Sequence, residues 1–308
     1  MSITTKQFQL LTDINIVWDF MVDIYDLKNG SGVAAPFFEH AILASWADNS
    51  YSYLNRFWFD GDKTVAFVFC EAPVTDIYFS VRRGYEYLAD ELIGYAVDTM
   101  PHWDNKQQLV LFNGQEALME AAKKRGFVKV FEYENKVLDL ENELSFELPA
   151  GYHYVEPKDI DIVKLAKLCW YGFGHGDKGE FTDYDRYDDS YFWTPAKSFK
   201  DCVSGFMSPK PHETPELNLV IADENGEYAC FSGMWWVPQN RLAYMEPLCT
   251  APEHRGKGLA SAALTKHARR MKAMGATHMT GGGDPFYDKL GYGKGWHTTY
   301  WKKEDITK

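Results

Sequence analysis

The stretch Arg255-Gly256-Lys257-Gly258 combines two positive charges with two glycines, directly before a helical pattern. Glycines in a turn allow a ligand to approach the backbone closely. From Leu259 onward the apolar residues recur at helical spacing, and Gly275 ends the predicted helix. A helix N-terminus has unpaired N–H groups and a partial positive charge. The sequence therefore predicts a site for a phosphate or pyrophosphate at this turn; a plain glycine-rich turn is the alternative.

The predicted strand before the turn, residues 243–250, contains a proline that interrupts its hydrogen bonding. Pro247 has no N–H to donate to a ladder. Neighbouring backbone groups are therefore left free to bind something else. This places a strand with unsatisfied backbone groups beside the predicted anion site.

Three phosphate-binding patterns can be compared with this turn. The P-loop pattern is absent, and the dinucleotide pattern GxGxxG is incomplete because Ser261 stands at its third glycine. A Rossmann-type oxidoreductase would also need an acidic residue about 20 positions after the glycines. Residues 272–277 are basic and apolar instead. Arg-x-x-Gly-x-Ala fits, with Arg255, Gly258 and Ala260.

This pattern, followed downstream by Tyr287-Asp288-Lys289-Leu290-Gly291, resembles the GNAT superfamily of acyl-CoA-dependent N-acyltransferases. The resemblance covers about the last 150 residues. It implies acetyl-CoA as the acyl donor, with its pyrophosphate held by the turn. The residues implied in that contact are Arg255, Gly256, Lys257, Gly258, Leu259 and Ala260.

Acetyl transfer from a thioester to an amine needs a base, a polarised carbonyl and a proton for the leaving thiolate. Glu246, two residues before Leu248, is the candidate base. Family members that use a glutamate base often place it two positions earlier, where Tyr244 stands in this chain. The alternative is a rim carboxylate that attracts a cationic substrate without moving a proton.

Three further roles are implied by the resemblance. The backbone N–H of Leu248 would polarise the thioester carbonyl, and the main chain of Thr250 would pair with the pantetheine arm as an added strand does. Tyr287 would be the general acid, with a core aromatic residue as the alternative. The asparagine that commonly precedes this tyrosine is replaced by Thr280-Gly281-Gly282-Gly283-Asp284.

The substrate pocket is expected to combine aromatic faces with carboxylates, a combination that suits an ammonium ion. The residues are Trp235, Trp236, Tyr244 and Glu246, with the segment 175–193, which contains Asp177, Glu180, Asp183, Tyr184, Asp185 and Tyr187. The alternative is that the tryptophans are core and the acidic run is a solvated loop. The nine histidines show no ligand spacing, so no metal is expected. Cys249 has no nearby histidine and is not expected to be a nucleophile.

Bulk composition limits the partners. The chain has 308 residues and a formal charge of −12, which argues against nucleic acid and anionic membranes and is compatible with a cationic substrate. Its five scattered cysteines form no CxxC pair, which indicates reduced thiols and a cytoplasmic location. Neither a signal peptide nor a transmembrane segment is expected.

The order of predicted elements repeats, which predicts an α/β (α+β) protein of two tandem GNAT-like domains. Each would have a mixed, mostly antiparallel central sheet flanked by helices. The first, residues 1–140, is expected to be degenerate and structural, and the second, residues 151–308, catalytic. In the first copy the turn region 81–88 lacks the second glycine, and Ala122 stands where the second copy has Tyr287.

Together these observations predict an acetyl-CoA-dependent N-acetyltransferase that acts directly on a primary amine of a small molecule. A non-catalytic acyl-CoA-binding sensor or assembly module is the alternative. The identity of the amine and the length of the acyl chain stay open. So does the oligomeric state, for which a homodimer is one option.

Overall fold

The computed structural model describes residues 2–28, 30–103, 106–190 and 192–304. The chain forms two compact units. The first unit contains Met1–Leu43, Ala47–Lys136 and Lys294–Lys308, and the second unit contains Ala44–Trp46 and Val137–Gly293. The units therefore differ from the two contiguous domains expected from sequence, because the last segment of the chain belongs to the first unit.

The described residues alternate between strands and helices. The strands are β1 (Ile3–Gln7), β2 (Arg56–Asp60), β3 (Lys63–Cys70), β4 (Asp76–Val81), β5 (Gln108–Phe112), β6 (Phe127–Asp139), β7 (Tyr152–Val155), β8 (Leu219–Asp223), β9 (Tyr228–Val237), β10 (Leu242–Thr250), β11 (His278–Thr280) and β12 (Gly293–Lys303). The helices are α1 (Ile14–Ile24), α2 (Ala35–Leu43), α3 (Ala89–Thr99), α4 (Glu116–Lys124), α5 (Ile162–Gly172), α6 (Pro195–Met207), α7 (Leu259–Ala273) and α8 (Pro285–Lys289).

In the first unit the strand order is β1-β2-β3-β4-β5-β12, followed by the first part of β6. Strands β1 to β4 are antiparallel neighbours, β4 and β5 are parallel, and β12 is antiparallel to β5. Parallel strands need a crossover connection, and α3 provides it. The core includes Leu92 and Ile93 of α3, which are fully buried.

In the second unit the order is β7-β8-β9-β10-β11, followed by residues 137–139 of β6. All neighbours are antiparallel except β10 and β11, which are parallel and joined through α7. Leu264 and Met271 of α7 pack on one face of this sheet, with Met234 of β9. Leu165 of α5 packs on the other face, with Phe231 of β9.

These features confirm the predicted fold class, a mixed and mostly antiparallel sheet with helices on its faces in each of two related units. The helix predicted from Leu259 is α7, and it ends one residue before Met274. Residues 143–149, which lie between the two predicted domains, are in neither a helix nor a strand. The repeated order of elements was readable because each element has its own hydrophobic period.

No helix in the described ranges is long and apolar enough to cross a membrane. Across the same ranges, no group of three or more His, Cys, Asp or Glu residues is arranged to hold a metal ion.

Candidate active site

A bulge interrupts β10 at the predicted break. Met245 pairs with Met234 and Leu248 pairs with Ser232, so two residues of β10 lie opposite the single residue Gly233. The Glu246–Pro247 peptide bond is cis. A Cβ atom at Gly233 would lie 2.2 Å from the carbonyl oxygen of Glu246. Glycine at this position therefore allows the bulge to press against β9.

The bulge leaves one edge of β10 open beyond its first residues. β11 pairs with β10 at Leu242 and Ala243, and the Thr280 hydroxyl then accepts the N–H of Met245 at 2.8 Å. The N–H of Ala251 points toward β9, where it donates to Ala229 at 2.9 Å. Since successive N–H groups of a strand alternate in direction, those of Thr250 and Leu248 point away from β9, along the open edge.

Arg255 holds the turn that follows β10. Its Nε donates to the carbonyl oxygen of Thr250 at 3.1 Å, and its Nη2 donates to that of Gly172 at 2.9 Å. The guanidinium therefore ties the turn to the end of α5 and keeps its positive charge near the turn. Lys257 is exposed, with its Nζ 3.2 Å from the Tyr152 hydroxyl.

The turn leads into α7 through Gly258, which adopts a left-handed conformation with φ of +83°. The carbonyl of Gly258 accepts the N–H of Ala262 at 3.0 Å, the first helical bond. The N–H groups of Leu259, Ala260 and Ser261 precede this bond and have no acceptor within the helix. They form a ready anion site at the N-terminus of a 15-residue helix.

Glu246 is half-buried on the bulge. Burial raises the pKa of its carboxyl to about 7, and the negative charge of Asp201 on α6 adds to the shift. Burial likewise raises the pKa of Asp201, while Lys210 and the backbone N–H of Ser45 lower it. Glu246 can therefore exchange a proton near neutral pH.

Tyr287 of α8 is buried in the core beneath α7. Its ring packs against the glycine run, and a Cβ atom at Gly281 would lie 2.7 Å from its Cδ1 atom. Burial raises the pKa of the phenol to about 12, Glu246 adds to the shift, and a hydrogen bond from the Gly282 backbone opposes it. The glycines that replace the expected asparagine thus make room for the ring.

The structure separates the two tryptophans expected at the substrate site. Trp236 is half-buried and packs against the core beneath α7. Because alternate residues of a strand face opposite ways, Trp235 faces the α5 side, where it is 2% exposed. Tyr244 pairs with Trp235 in the ladder. Trp235 and Tyr244 therefore share a face that Trp236 does not.

The segment 175–193 contributes aromatic contacts, while the acidic residues proposed for the substrate site face solvent. The ring of His175 lies 5.3 Å from those of both Trp170 and Trp193. Phe181 and Tyr184 stack at 5.2 Å. Five residues proposed for the substrate site are exposed, as the alternative of a solvated loop expects: Asp177, Glu180, Asp183, Asp185 and Tyr187. Tyr191 lies outside the described residues.

Two residues near this face were missed in the sequence. Trp46 stacks edge-on against Trp193 with ring centroids 4.9 Å apart. It belongs to the short segment Ala44–Trp46 of the second unit, and no local pattern marks it. Asp201 lies on α6 and acts on the charge of Glu246, and only the packing of α6 reveals this.

The chain was compared with protein families, curated proteins and solved structures. Residues 161–292 match the model of the Acetyltransferase (GNAT) family. No curated protein matches the chain in sequence.

Three solved structures resemble the chain over nearly its whole length. A tandem GNAT protein from the clavulanic acid biosynthesis pathway is 10% identical, with a TM-score of 0.59 and 99% of each chain covered. An acetyltransferase of the GNAT family from Colwellia psychrerythraea is 9% identical, with a TM-score of 0.60 and coverage of 98% of this chain and 100% of that one. A GCN5-related N-acetyltransferase from Sphaerobacter thermophilus is 12% identical, with a TM-score of 0.52 and coverage of 98% and 95%. At these identities the likeness is one of fold.

Proposed function

We propose that this protein transfers an acetyl group from acetyl-CoA directly to a primary amine of a small molecule, because residues 161–292 match the model of the Acetyltransferase (GNAT) family. The observation that carries the proposal is the open edge of β10, which runs from Leu248 to Thr250 and ends beside the N-terminus of α7. A ligand with an amide-bearing arm and a diphosphate fits both features at once.

The residues that would hold acetyl-CoA contribute mainly backbone groups. The amides of the turn and of the first residues of α7 would bind the diphosphate, and the charges of Arg255 and Lys257 would support them. Thr250 would pair with the arm along the open edge. The coenzyme supplies an activated thioester, and the N–H of Leu248 would stabilise the negative charge that develops on the carbonyl oxygen.

Glu246 would accept the proton of the incoming ammonium. An alkylammonium has a pKa of about 10, and a carboxylate whose pKa is about 7 is a much stronger base than an ordinary glutamate. The half-buried position of Glu246 limits competing water. The same carboxylate attracts a cation before the reaction, as the overall charge of −12 also does.

Tyr287 would donate a hydrogen bond to the leaving sulfur. With a pKa of about 12 the phenol stays protonated throughout the working pH range. A thiolate, with a pKa of about 8.5, is a weaker base than this phenolate. Tyr287 therefore favours the leaving group by hydrogen bonding, and the proton taken from the amine completes the thiol.

Tyr244 would line the acceptor side, and Trp235, which is 2% exposed and pairs with Tyr244 in the ladder, would support it from within the core. Trp236, on the other face, would contribute only by supporting the strand. All five cysteines are free and buried, which supports a reducing compartment such as the cytoplasm.

The test is a screen of small amines with thiol detection of released coenzyme A, on wild type and Tyr287→Phe. We expect turnover in wild type and a kcat lower by about 10²-fold or more in the variant, because a hydrogen-bond donor to the developing charge is lost, with acetyl-CoA affinity retained by calorimetry. Tyr292→Phe is the matched control, since it removes a neighbouring buried hydroxyl for which no partner is found among the described atoms. Acetyl-CoA binding without turnover on any amine would favour the sensor.

A further inference from the structure

The first unit repeats the motif that forms the candidate site of the second. Strands β2, β3 and β4, helix α3 and parallel strand β5 follow the same order as β8, β9, β10, α7 and β11. The edge of β4 that faces away from β3 near Val81 is therefore the counterpart of the open edge of β10 near Thr250. The two edges are filled differently.

In the first unit the chain itself pairs with this edge. The N–H of Val81, the last residue of β4, donates to the carbonyl oxygen of Ser31 at 3.0 Å. The Ser31 hydroxyl donates to the carbonyl of Ile24 at 2.5 Å, which fixes the segment. A Cβ atom at Gly32 would lie 2.5 Å from Oγ of Ser80, so the backbone lies tightly against β4.

The same segment reaches β5. A Cβ atom at Gly30 would lie 2.8 Å from Cβ of Phe112, and the Asn113 side chain donates to the carbonyl of Lys28 at 3.1 Å. Gln115 joins the ends of the two strands. Its amide nitrogen donates to the carbonyl of Phe79 at 2.8 Å, and its amide oxygen accepts the N–H of Phe112 at 3.0 Å. Protein groups thus bridge β4 and β5 beyond the point where the two strands stop pairing.

The turn after β4 is satisfied internally as well. The Glu86 carboxylate accepts the N–H of Gly84 at 3.0 and 2.8 Å through its two oxygens. The carboxylate therefore accepts the hydrogen bond that this amide of the turn could otherwise donate to a phosphate oxygen. Arg82 forms an ion pair with Asp23 at 2.5 Å and donates to the carbonyl of Thr64 at 3.0 Å. The amide of Gly84 and the guanidinium of Arg82 therefore already have partners within the unit.

A cavity of about 520 Å³ remains beside this turn. Its charged lining consists of three cations and three anions, namely Lys63, Arg82, Arg83, Asp23, Asp26 and Glu86. Their charges balance, which gives no net attraction for a polyanion such as coenzyme A. The cavity is accordingly unsuited to the ligand that the fold of this unit would otherwise accept.

We propose that the first unit is a coenzyme cleft filled by its own chain, with Ser31 at the place of the pantetheine arm and Glu86 at that of a phosphate. The protein then binds one molecule of coenzyme A per chain, at the second unit. This inference rests on the proposed function, because it takes the second unit as the coenzyme site.

The experiment is titration calorimetry with coenzyme A, combined with hydrogen exchange on the wild-type protein. We expect one molecule per chain, with new protection at residues 259–261 and none at residues 81–86. Ala260→Glu places a carboxylate two residues after Gly258, as Glu86 stands two residues after Gly84. It should lower the affinity at least tenfold, whereas Ala273→Glu, at the exposed last residue of α7, should retain binding.

Two molecules per chain, or protection at residues 81–86, would overturn the inference and leave the proposed function intact. Binding that survives Ala260→Glu together with protection at residues 81–86 would place the coenzyme in the first unit. No binding to wild type would overturn the proposed function and this stoichiometry together. Hydrogen exchange on wild type gives the location even if a variant is poorly folded.

Discussion

At the residue scale, burial acts on Glu246 and Tyr287 in the same direction with opposite consequences. It raises the pKa of the carboxyl to about 7 and that of the phenol to about 12. The carboxyl becomes a stronger base that is still ionised near neutral pH, while the phenol becomes a weaker acid that keeps its proton. Burial therefore suits the two residues to different proposed roles.

Glu246→Gln tests the base. Because the carboxylate must be ionised, kcat/KM of wild type should rise with pH through about 7 and then level. In the variant, kcat/KM should no longer rise with pH through this range. Its value should be lower than that of wild type by about 10²-fold to 10⁴-fold, as measured by pH–rate profiles. The control is Glu253→Gln, at an exposed glutamate after β10, which should keep the rise of kcat/KM with pH. A raised KM with unchanged kcat would instead indicate a rim carboxylate.

Glu246 should also cost stability at alkaline pH. Its folded pKa of about 7 lies above the ordinary value of 4.5, so the folded state binds more protons between these values. The free energy of unfolding should therefore fall as pH rises through this window, by about 1.4 kcal/mol per unit for one proton. Relative to wild type, Glu246→Gln should gain stability as pH rises from 4.5 to about 7 in urea unfolding. A constant difference across that range would contradict the raised pKa.

His267 of α7 should govern stability at acidic pH. It is fully buried, with its Nε2 3.3 Å from the carbonyl of Ser232. Burial lowers its pKa from 6.5 to about 3, helped by Arg270 and Lys266 and opposed by the Ser232 hydrogen bond. The unfolded state binds the extra proton, so the stabilisation is present above pH 6.5 and is lost as pH falls toward 3.

His267→Gln should flatten this dependence by about 1.4 kcal/mol per pH unit between the two pKa values. The measurement is urea unfolding at several pH values. His153→Gln, at an exposed histidine of β7, is the control. Its free energy of unfolding should depend on pH with the same slope as that of wild type. An unchanged slope in His267→Gln would show that other groups govern the acid limb.

At the element scale, the site depends on a strand that is forced out of register. The bulge turns the N–H groups of Leu248 and Thr250 toward the open edge, and Glu246 lies within the bulge itself. Helix α7 then begins where that edge ends, and Arg255 joins the two through Thr250. Neither element forms the site alone.

Gly233→Ala tests the bulge. Its Cβ would lie 2.2 Å from the Glu246 carbonyl oxygen and 2.8 Å from Cδ of Pro247, so β10 must move. We expect a loss of about 1–3 kcal/mol in the free energy of unfolding and a fall in kcat/KM, measured by urea unfolding and kinetics. Gly293→Ala, whose Cβ would meet nothing nearer than 3.8 Å, is the control. Equal effects in both variants would refute the role of the bulge.

At the scale of the whole molecule, the last strand completes the unit that begins the chain. β12 pairs with β5 from Thr298 to Lys302, and Trp301 is 5% exposed in the core of the first unit. Strand β6 begins in the first unit, and its last residues, 137–139, pair with β11 in the second unit. The chain order of the strands therefore differs from their order in each sheet.

Trp301→Ala should destabilise the first unit although it lies near the end of the sequence. Loss of a buried tryptophan costs about 3–5 kcal/mol. Hydrogen exchange should show lost protection in β5 while α7 stays protected. Lys303→Ala, at an exposed residue of the same strand, should change neither. Loss confined to α7 and β10 would contradict the assignment of β12 to the first unit.

The sequence by itself determined the features that depend on short spacings. Helix α7, the glycine turn, the proline break in β10 and the repeated order of elements were all predicted, and the structure contains them. A helix has a period of 3.6 residues, and glycine and proline act on their own backbone. Such signals survive without knowledge of any distant partner.

Only the tertiary structure decided which strands pair, which faces residues share and what fills each edge. A strand pattern is the same whichever neighbour it pairs with, so the partner of β12 could not be read from residues 293–303. The different faces of Trp235 and Trp236, the position of Asp201 near Glu246 and the pairing of Ser31 with Val81 likewise depend on residues far apart in the chain. Long-range packing fixes them, because hydrogen bonds and burial act through space and not along the sequence.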